Sequence, residues 1–248
     1  MIKNLKFNAF QIKLAMALLM VVDHINHVPN LISPEMAGIF HVITRVVAAW
    51  FAYSAVEGFN YTHNRIKYNI RLFIWAAIMW IGNTFINIST GEYISNNIFL
   101  TFALGVLMLN ILAIKNPCNK IIFKVIKSFV VLGLIVIGVI CAEGSIPLLP
   151  FMLLTYIFKD NIKMRNCGYL VLSLIIFGIS IVVYDTINET IRMLCYNSEF
   201  LFILVLPITK IYNGERGPKN KFSKYFFYIF YPMHLWILAI ISYFVKLN

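Results

Sequence analysis

Residues 10–28 read FQIKLAMALLMVVDHINHV, an apolar run of membrane-spanning length that carries one lysine, one aspartate and two histidines. A hydrocarbon core of about 30 Å takes roughly 20 helical residues to cross. Because Lys3 and Lys6 precede it, the run first looks like a signal peptide. Lys13 and Asp23 interrupt the apolar stretch, however, and no small-residue cleavage site follows. The run therefore reads as a first span that the chain is expected to keep.

Working outward, eight more apolar blocks follow at 36–59, 70–88, 98–114, 121–141, 146–158, 168–187, 198–212 and 225–245. Of the 248 residues, 60% are hydrophobic and 12% charged, whereas a soluble domain carries about 25% charged residues. A soluble helical protein would place polar faces between its apolar stripes, and these blocks have none. The 15% aromatic content, much of it near block ends, suits interfacial belts. The expectation is an all-α, polytopic integral membrane protein of about nine transmembrane helices. With no long linker and no internal repeat, 1–248 reads as one domain. The 13-residue sixth block is only about 20 Å of helix and has Pro147 and Pro150 near its start. It is expected to tilt, half-unwind or re-enter. Pro232 should bend the ninth block by releasing the carbonyl of Tyr228, and Pro207 the eighth.

The net charge of +11 would suit a nucleic-acid binder, but its distribution excludes that reading. Seventeen of the 21 basic residues fall in alternate segments: Lys3 and Lys6; Arg65, Lys67 and Arg71; Lys115, Lys120, Lys124 and Lys127; Lys159, Lys163 and Arg165; Lys210, Arg216, Lys219, Lys221 and Lys224. The other loops hold mainly acids, among them Glu35, Glu92, Glu143, Asp185, Glu189 and Glu199. This alternation follows the positive-inside rule and places the N-terminus in the cytoplasm and the C-terminus outside, in a multi-pass protein of the cytoplasmic membrane. The basic loops would lie against the anionic lipid bilayer. Four cysteines (Cys118, Cys141, Cys167, Cys195) show neither C-x-x-C nor zinc spacing and are expected to be reduced.

Ionisable residues inside a membrane are costly and point to function. Lys13 and His24 lie three turns apart, about 20° off one line and about 16–17 Å along the helix axis. Met16, Ala17 and Met20 fill the face between them. The plain structural reading is a lysine snorkelling to the headgroups and a histidine satisfied by a neighbouring helix. A rise of about 1.5 Å per residue in antiparallel neighbours brings Asp23 level with Arg45 and Lys13 level with Glu57. Asp23–Arg45 is thus a candidate ion pair, and Glu57 a competing partner for Lys13. Asp23, His24 and His27 could share a metal, but a zinc site needs a third or fourth donor such as His41 or Glu35. No H-E-x-x-H pattern occurs, and no metal is expected. Past Pro232, His234 ends an aromatic run from Tyr225 to Tyr231 that reads equally as an interfacial belt.

Taken together, Phe10-Gln11-Ile12-Lys13-Leu14-Ala15-Met16, Val22-Asp23-His24-Ile25, Ala55-Val56-Glu57-Gly58-Phe59, Tyr212-Asn213-Gly214 and Tyr231-Pro232-Met233-His234-Leu235 resemble the TraX family along nearly the whole chain. The namesake of that family acetylates the N-terminus of a conjugative pilin. Lys13-x10-His24 is also similar to the Arg/Lys-x10-His motif of the acyltransferase-three superfamily of membrane enzymes. There the basic residue is linked to acyl-CoA phosphates and the histidine to catalysis. No Arg-x-x-Arg companion accompanies it; Arg65 and Arg71 stand six apart.

The resemblance implies an acyltransferase that uses acetyl-CoA, or another acyl-CoA, from the cytoplasmic side. Lys13, Arg65, Arg71 and Arg216 would hold the CoA phosphates, and the pantetheine arm would run beside Met16, Ala17 and Met20. The catalytic positions are His24, as general base, and Asp23. Arg45, Glu57, Tyr231 and His234 are substrate or structural positions. The acceptor is an amine or hydroxyl on a peptide N-terminus, a sugar or a small molecule, and no nucleic-acid partner is expected. The residues alone also allow a small transporter or channel that uses Asp23, Arg45 and His24 as a substrate or proton path.

Overall fold

The computed structural model describes residues 6–115 and 121–247. Lys3, Lys120 and Cys118 lie outside the described residues. Ten α-helices and two short 3-10 helices make up the described chain. In order, the α-helices are α1 (Ala9–His24), α2 (Pro34–Tyr61), α3 (Arg65–Thr90), α4 (Ile98–Ala113), α5 (Ile121–Cys141), α6 (Ser145–Ile157), α7 (Ile162–Ser180), α8 (Ile187–Tyr196), α9 (Val205–Ile211) and α10 (Lys221–Leu247). The 3-10 segment Ile25–His27 extends α1, and Glu199–Leu204 leads into α9.

Six of these helical segments are long and apolar enough to cross a membrane: Ala9–His27, Pro34–Tyr61, Arg65–Thr90, Ile121–Cys141, Ile162–Ser180 and Lys221–Leu247. A seventh arises if α8 and Glu199–Ile211, bent by 53° at their junction, form one broken span. Nine were expected from the blocks, and three of those blocks account for the difference. α4 has 16 residues and α6 has 13, about 24 and 20 Å of helix against a core of about 30 Å. The block at 198–212 changes from 3-10 to α geometry at Val205, shortly before Pro207.

The chain divides into two compact units, each assembled from separated stretches. The first comprises Met1–Phe51, Met79–Ser95 and Ser173–Asn248; the second, Ala52–Ile78 and Asn96–Leu172. The division falls within α2, α3 and α7 and in the α3–α4 connection, at no extended linker.

In the second unit, α4, α5 and α6 pack on one another. α4 is apolar all round and buries ten residues, including Phe102, Met108 and Leu109, as a helix enclosed by protein must. α6 buries Leu148, Leu149, Phe151 and Met152. It is a continuous helix with Pro150 inside, rather than an unwound segment. Small residues permit that approach: a Cβ on Gly105 would stand 2.4 Å from Met152 Sδ, and one on Gly138 2.3 Å from Leu149 Cδ1.

In the first unit, α1 and α10 run parallel. Phe10 meets Phe222 and Phe227 near the start of both helices, and His24 meets His234 further along. α3 joins them where Gly82 faces the ring of Trp236, whose Nε1–H donates to Asn83 Oδ1 at 2.9 Å. Near the other end of α10, Lys246 pairs with Glu92 at 2.7 Å. α10 continues without a break across Pro232. α8 had no counterpart among the apolar blocks. It begins at Thr186, whose side chain accepts from the Glu189 N–H, and none of its residues is buried.

Candidate functional site

The N-terminus of α1 is fixed from two directions. Asn8 caps it, its side chain accepting from the Gln11 N–H while the Gln11 side chain accepts from the Asn8 N–H, each at 3.0 Å. This reciprocal pair satisfies two of the donors that a helix start leaves open. From the other side, the segment after α9 pairs with Phe7: Phe7 N–H donates to Ile211 O and Asn213 N–H to Phe7 O. Ala9 N–H then donates to Glu215 O at 2.8 Å. Gly214 and Gly217 turn the segment with φ of 82° and 85°, a region glycine adopts without steric cost. At Gly217 the fit is also close, since a Cβ there would lie 2.7 Å from Asn8 Oδ1. The turn residues legible in the sequence thus carry Arg216 to the foot of α1, within electrostatic range of Lys13. The Lys13 ammonium sits 5.9 Å from the centroid of the Phe227 ring.

Between Lys13 and His24, the side chains of Met16, Ala17 and Met20 are buried, at 4%, 1% and 8% exposure. The strip that the sequence reading made a path for a pantetheine arm is therefore filled by packing. Its apolar side chains serve helix contact first.

His24 closes α1 and stands within a group of rings. Its Nδ1 lies 2.9 Å from the Met20 carbonyl oxygen and 3.2 Å from Nε2 of His234. The His234 ring is buried, with Nδ1 at 3.1 Å from the Phe230 carbonyl oxygen and its face stacked on Phe230 at 5.4 Å. Tyr231, also buried, presents an edge to the same ring at 5.7 Å. His27 lies edge-on to His24 at 5.3 Å. His24 itself is half-buried, and its Nε2 has no hydrogen-bond partner among the described residues.

One residue before His24, Asp23 forms with Arg45 the ion pair that their depth implied. Arg45 Nη2 donates to both carboxylate oxygens of Asp23, at 3.2 and 3.1 Å. The Thr44 hydroxyl donates to Asp23 Oδ1 at 2.5 Å. Arg45 is itself clasped by its own helix, its Nε–H donating to His41 O and Nη2 to His41 Nδ1, both at 2.9 Å. The same His41 Nδ1 lies 3.4 Å from Asp23 Oδ1, and its Nε2 lies 3.1 Å from Tyr196 O, so the ring links the ion pair to α8. Asp23 is thus held by the second helix, while His24, adjacent in sequence, turns to α10. Adjacent residues on a helix do not face each other.

The remaining candidates belong to the second unit. The Arg65 guanidinium stacks over Phe59 at 4.5 Å and borders an open depression of about 550 Å³ with Thr62, His63, Asn64, Asn110 and Ile114. Arg71 lies over the Tyr68 ring at 5.3 Å. Glu57 is within electrostatic range of Arg165, a nearly buried cation between the rings of Tyr53 and Tyr169. Among the described residues, no group of three or more His, Cys, Asp or Glu side chains is placed to hold a metal ion.

Three features escaped the sequence reading. The direct contact between His24 and His234 spans 210 positions, and no local pattern encodes it. His41 had entered only as a spare metal donor, although its i, i+4 spacing to Arg45 was a usable signal. Thr44 had no signal of its own.

The TraX protein family matches residues 9–242 of this chain. The chain belongs to the TraX family. It is 23% identical over 249 residues to the probable fimbrial assembly protein FimC, serogroup H1, of Dichelobacter nodosus, covering 96% of this chain and 97% of that protein. No solved structure matches. The matched range holds both ends of the histidine pair and the cations at the foot of α1. A TraX protein with several long apolar helices is a multi-pass membrane protein.

Proposed function

We propose that this TraX protein is an integral membrane acyltransferase that takes an acyl group, most simply acetyl, from acyl-CoA and transfers it to an amine or hydroxyl, with His24 as general base. One observation carries the reading. A half-buried imidazole with an open Nε2 stands on the same helix face as Lys13, which shares the foot of α1 with Arg216. Two cations at one end suit a nucleotide phosphate, and an imidazole at the other suits proton transfer near neutral pH. The family name supports acetylation, and the relative's name, a probable fimbrial assembly protein, makes the N-terminal amine of a pilin-like subunit the first acceptor to test.

The step balances without a metal or redox partner. His24 Nε2 takes the proton from the acceptor as its nitrogen or oxygen attacks the thioester carbon. The new C–N or C–O bond forms, the C–S bond breaks, and the departing thiolate recovers the proton from His24 to leave free CoA. The filled strip of Met16, Ala17 and Met20 means that the donor arm passes beside α1 or displaces part of that packing. Asp23 and Arg45 hold α1 to α2 and set the direction of His24.

In this reading Lys13 lies at the cytoplasmic side and the C-terminus outside, an orientation supported by the alternation of basic segments along the chain. Arg65 and Arg71, which the sequence offers as candidate phosphate contacts, are each tested by an alanine variant in a donor-binding assay. A transporter reading draws on the same intramembrane charges, but Asp23 already accepts three hydrogen bonds from Arg45 and Thr44. A carboxylate so engaged serves as a clasp better than as a carrier.

The test is direct. Purified protein in detergent is heated with and without CoA or acetyl-CoA, then incubated with acetyl-CoA and a peptide bearing a free N-terminal amine. A ligand that binds only the folded state raises the melting temperature by mass action, and transfer releases free thiol. No thermal shift with either ligand would remove the acyl-CoA reading.

A further inference from the structure

Resting on that reading, we infer that His234 is the positioning residue for His24, accepting the Nδ1 proton of His24 so that Nε2 presents the catalytic lone pair.

The proton positions follow from the acceptors present. Nδ1 of His234 faces the Phe230 carbonyl oxygen at 3.1 Å. A carbonyl only accepts, so this nitrogen carries the hydrogen, and the neutral ring keeps its lone pair on Nε2. That lone pair faces Nδ1 of His24 at 3.2 Å, and the same Nδ1 faces the Met20 carbonyl oxygen at 2.9 Å. Both neighbours of His24 Nδ1 are acceptors, so it too carries the hydrogen and shares it between them. The opposite tautomers would aim a lone pair at a carbonyl oxygen on each helix. Only one nitrogen of the pair is left to receive a proton from substrate, and it is Nε2 of His24.

This arrangement does what a base needs at the moment of proton transfer. When His24 Nε2 takes a proton, the ring becomes an imidazolium, and its Nδ1–H is already aimed at the lone pair of a neutral, buried imidazole. A hydrogen bond to a charged group is stronger than one between neutral groups. The partner therefore stabilises the protonated base more than the resting one, which is the differential that accelerates a step. His234 is held for this role by its bond to Phe230 O, by the stacked Phe230 ring and by the edge of Tyr231. Asp23, the carboxylate beside His24 in sequence, is engaged by Arg45 and Thr44. The base–orienter pair here is thus two histidines, with the orienter drawn from α10.

Two measurements test the inference and separate its failure from that of the acyltransferase reading. The first needs no activity: nitrogen NMR of protein labelled with ¹⁵N-histidine, with His24→Gln and His234→Gln used for assignment. Both rings should carry hydrogen on Nδ1 and a lone pair on Nε2. A hydrogen on Nε2 of neutral His24 overturns the inference. The second uses acetyl-CoA and the peptide amine. His234→Leu should lower kcat about 10- to 100-fold, the effect of losing a hydrogen bond to a charged group, with the donor KM unchanged. His234→Gln, whose carbonyl oxygen can accept the same hydrogen, should recover most of that loss. Undiminished kcat in His234→Leu, or a Gln variant no better than Leu, overturns the positioning role even while the enzyme reading stands. If wild-type protein neither binds acetyl-CoA nor transfers, the enzyme reading fails instead. Should His234→Leu not fold, the wild-type nitrogen spectrum decides alone.

Discussion

Replacing Arg45 by Met would leave Asp23 inside the helix bundle with the Thr44 hydroxyl and the His41 ring, whose Nδ1 lies 3.4 Å from Asp23 Oδ1, as its remaining polar partners. The two side chains are 19% and 16% exposed, so the carboxylate cannot recover full hydration. Removing one partner of a buried pair costs about 3–5 kcal/mol, because the other charge stays behind. The residual exposure and the Thr44 hydrogen bond lower this to about 2–4 kcal/mol by the same reasoning. The double variant Asp23→Asn/Arg45→Met removes both charges and should cost only about 1 kcal/mol, since hydrophobic replacement of a whole pair is often near neutral. Reversible denaturant unfolding in mixed micelles, followed by tryptophan fluorescence, measures all four members of the cycle. The coupling between the two sites should come out favourable by more than about 1 kcal/mol. If Arg45→Met unfolds at the wild-type midpoint, or the double variant is as unstable as the single, the pair is no clasp.

Gly82→Ala should destabilise by about 1–3 kcal/mol through overpacking, because a Cβ there would lie 2.0 Å from the Trp236 ring; the smaller side chain of Trp236→Leu should relieve part of that loss, and an unchanged melting temperature for the single variant would count against the α3–α10 contact. Lys13→Ala should weaken acetyl-CoA binding more than it lowers turnover at saturating donor, and Lys13→Arg should be tolerated better than Lys13→Gln, since a phosphate requires charge; equal donor affinity in wild type and Lys13→Ala would leave lysine as a snorkelling residue only. Exposed Cys167 should react with membrane-impermeant thiol reagents from the cytoplasmic face, and a reporter fused after Asn248 should be external; an internal C-terminus would reverse the orientation.

Much of the architecture was legible because the signals are local. Block lengths and charge alternation gave an all-α membrane chain, and a constant rise per residue was enough to set Asp23 level with Arg45. What local signals cannot give is which side of an apolar segment meets protein rather than lipid. α4 looks like a short span by hydropathy, yet ten of its residues are buried, and at 16 residues it is shorter than a membrane-crossing helix. The strip of Met16, Ala17 and Met20 has the same ambiguity: a line of small and flexible apolar residues describes a groove and a packing seam equally well. The pairing of His24 with His234 depends on α1 and α10 lying parallel. That is a property of the whole topology, and neither helix encodes it by itself. The turn at Gly214 and Gly217 was visible from residue type. Its consequence, bringing Arg216 to Lys13, required the backbone bonds to Phe7 and Ala9.

The most direct test of His24 as the catalytic base is transfer by His24→Gln beside its donor affinity. Glutamine keeps hydrogen bonding but accepts no proton at physiological pH. The variant should fold, bind acetyl-CoA with near-wild-type affinity through contacts about three turns away, and lose transfer by about 10²–10⁴-fold. Retention of more than about a tenth of wild-type transfer, a smaller loss than removal of a general base produces, would contradict the assignment and place the proton-accepting group elsewhere.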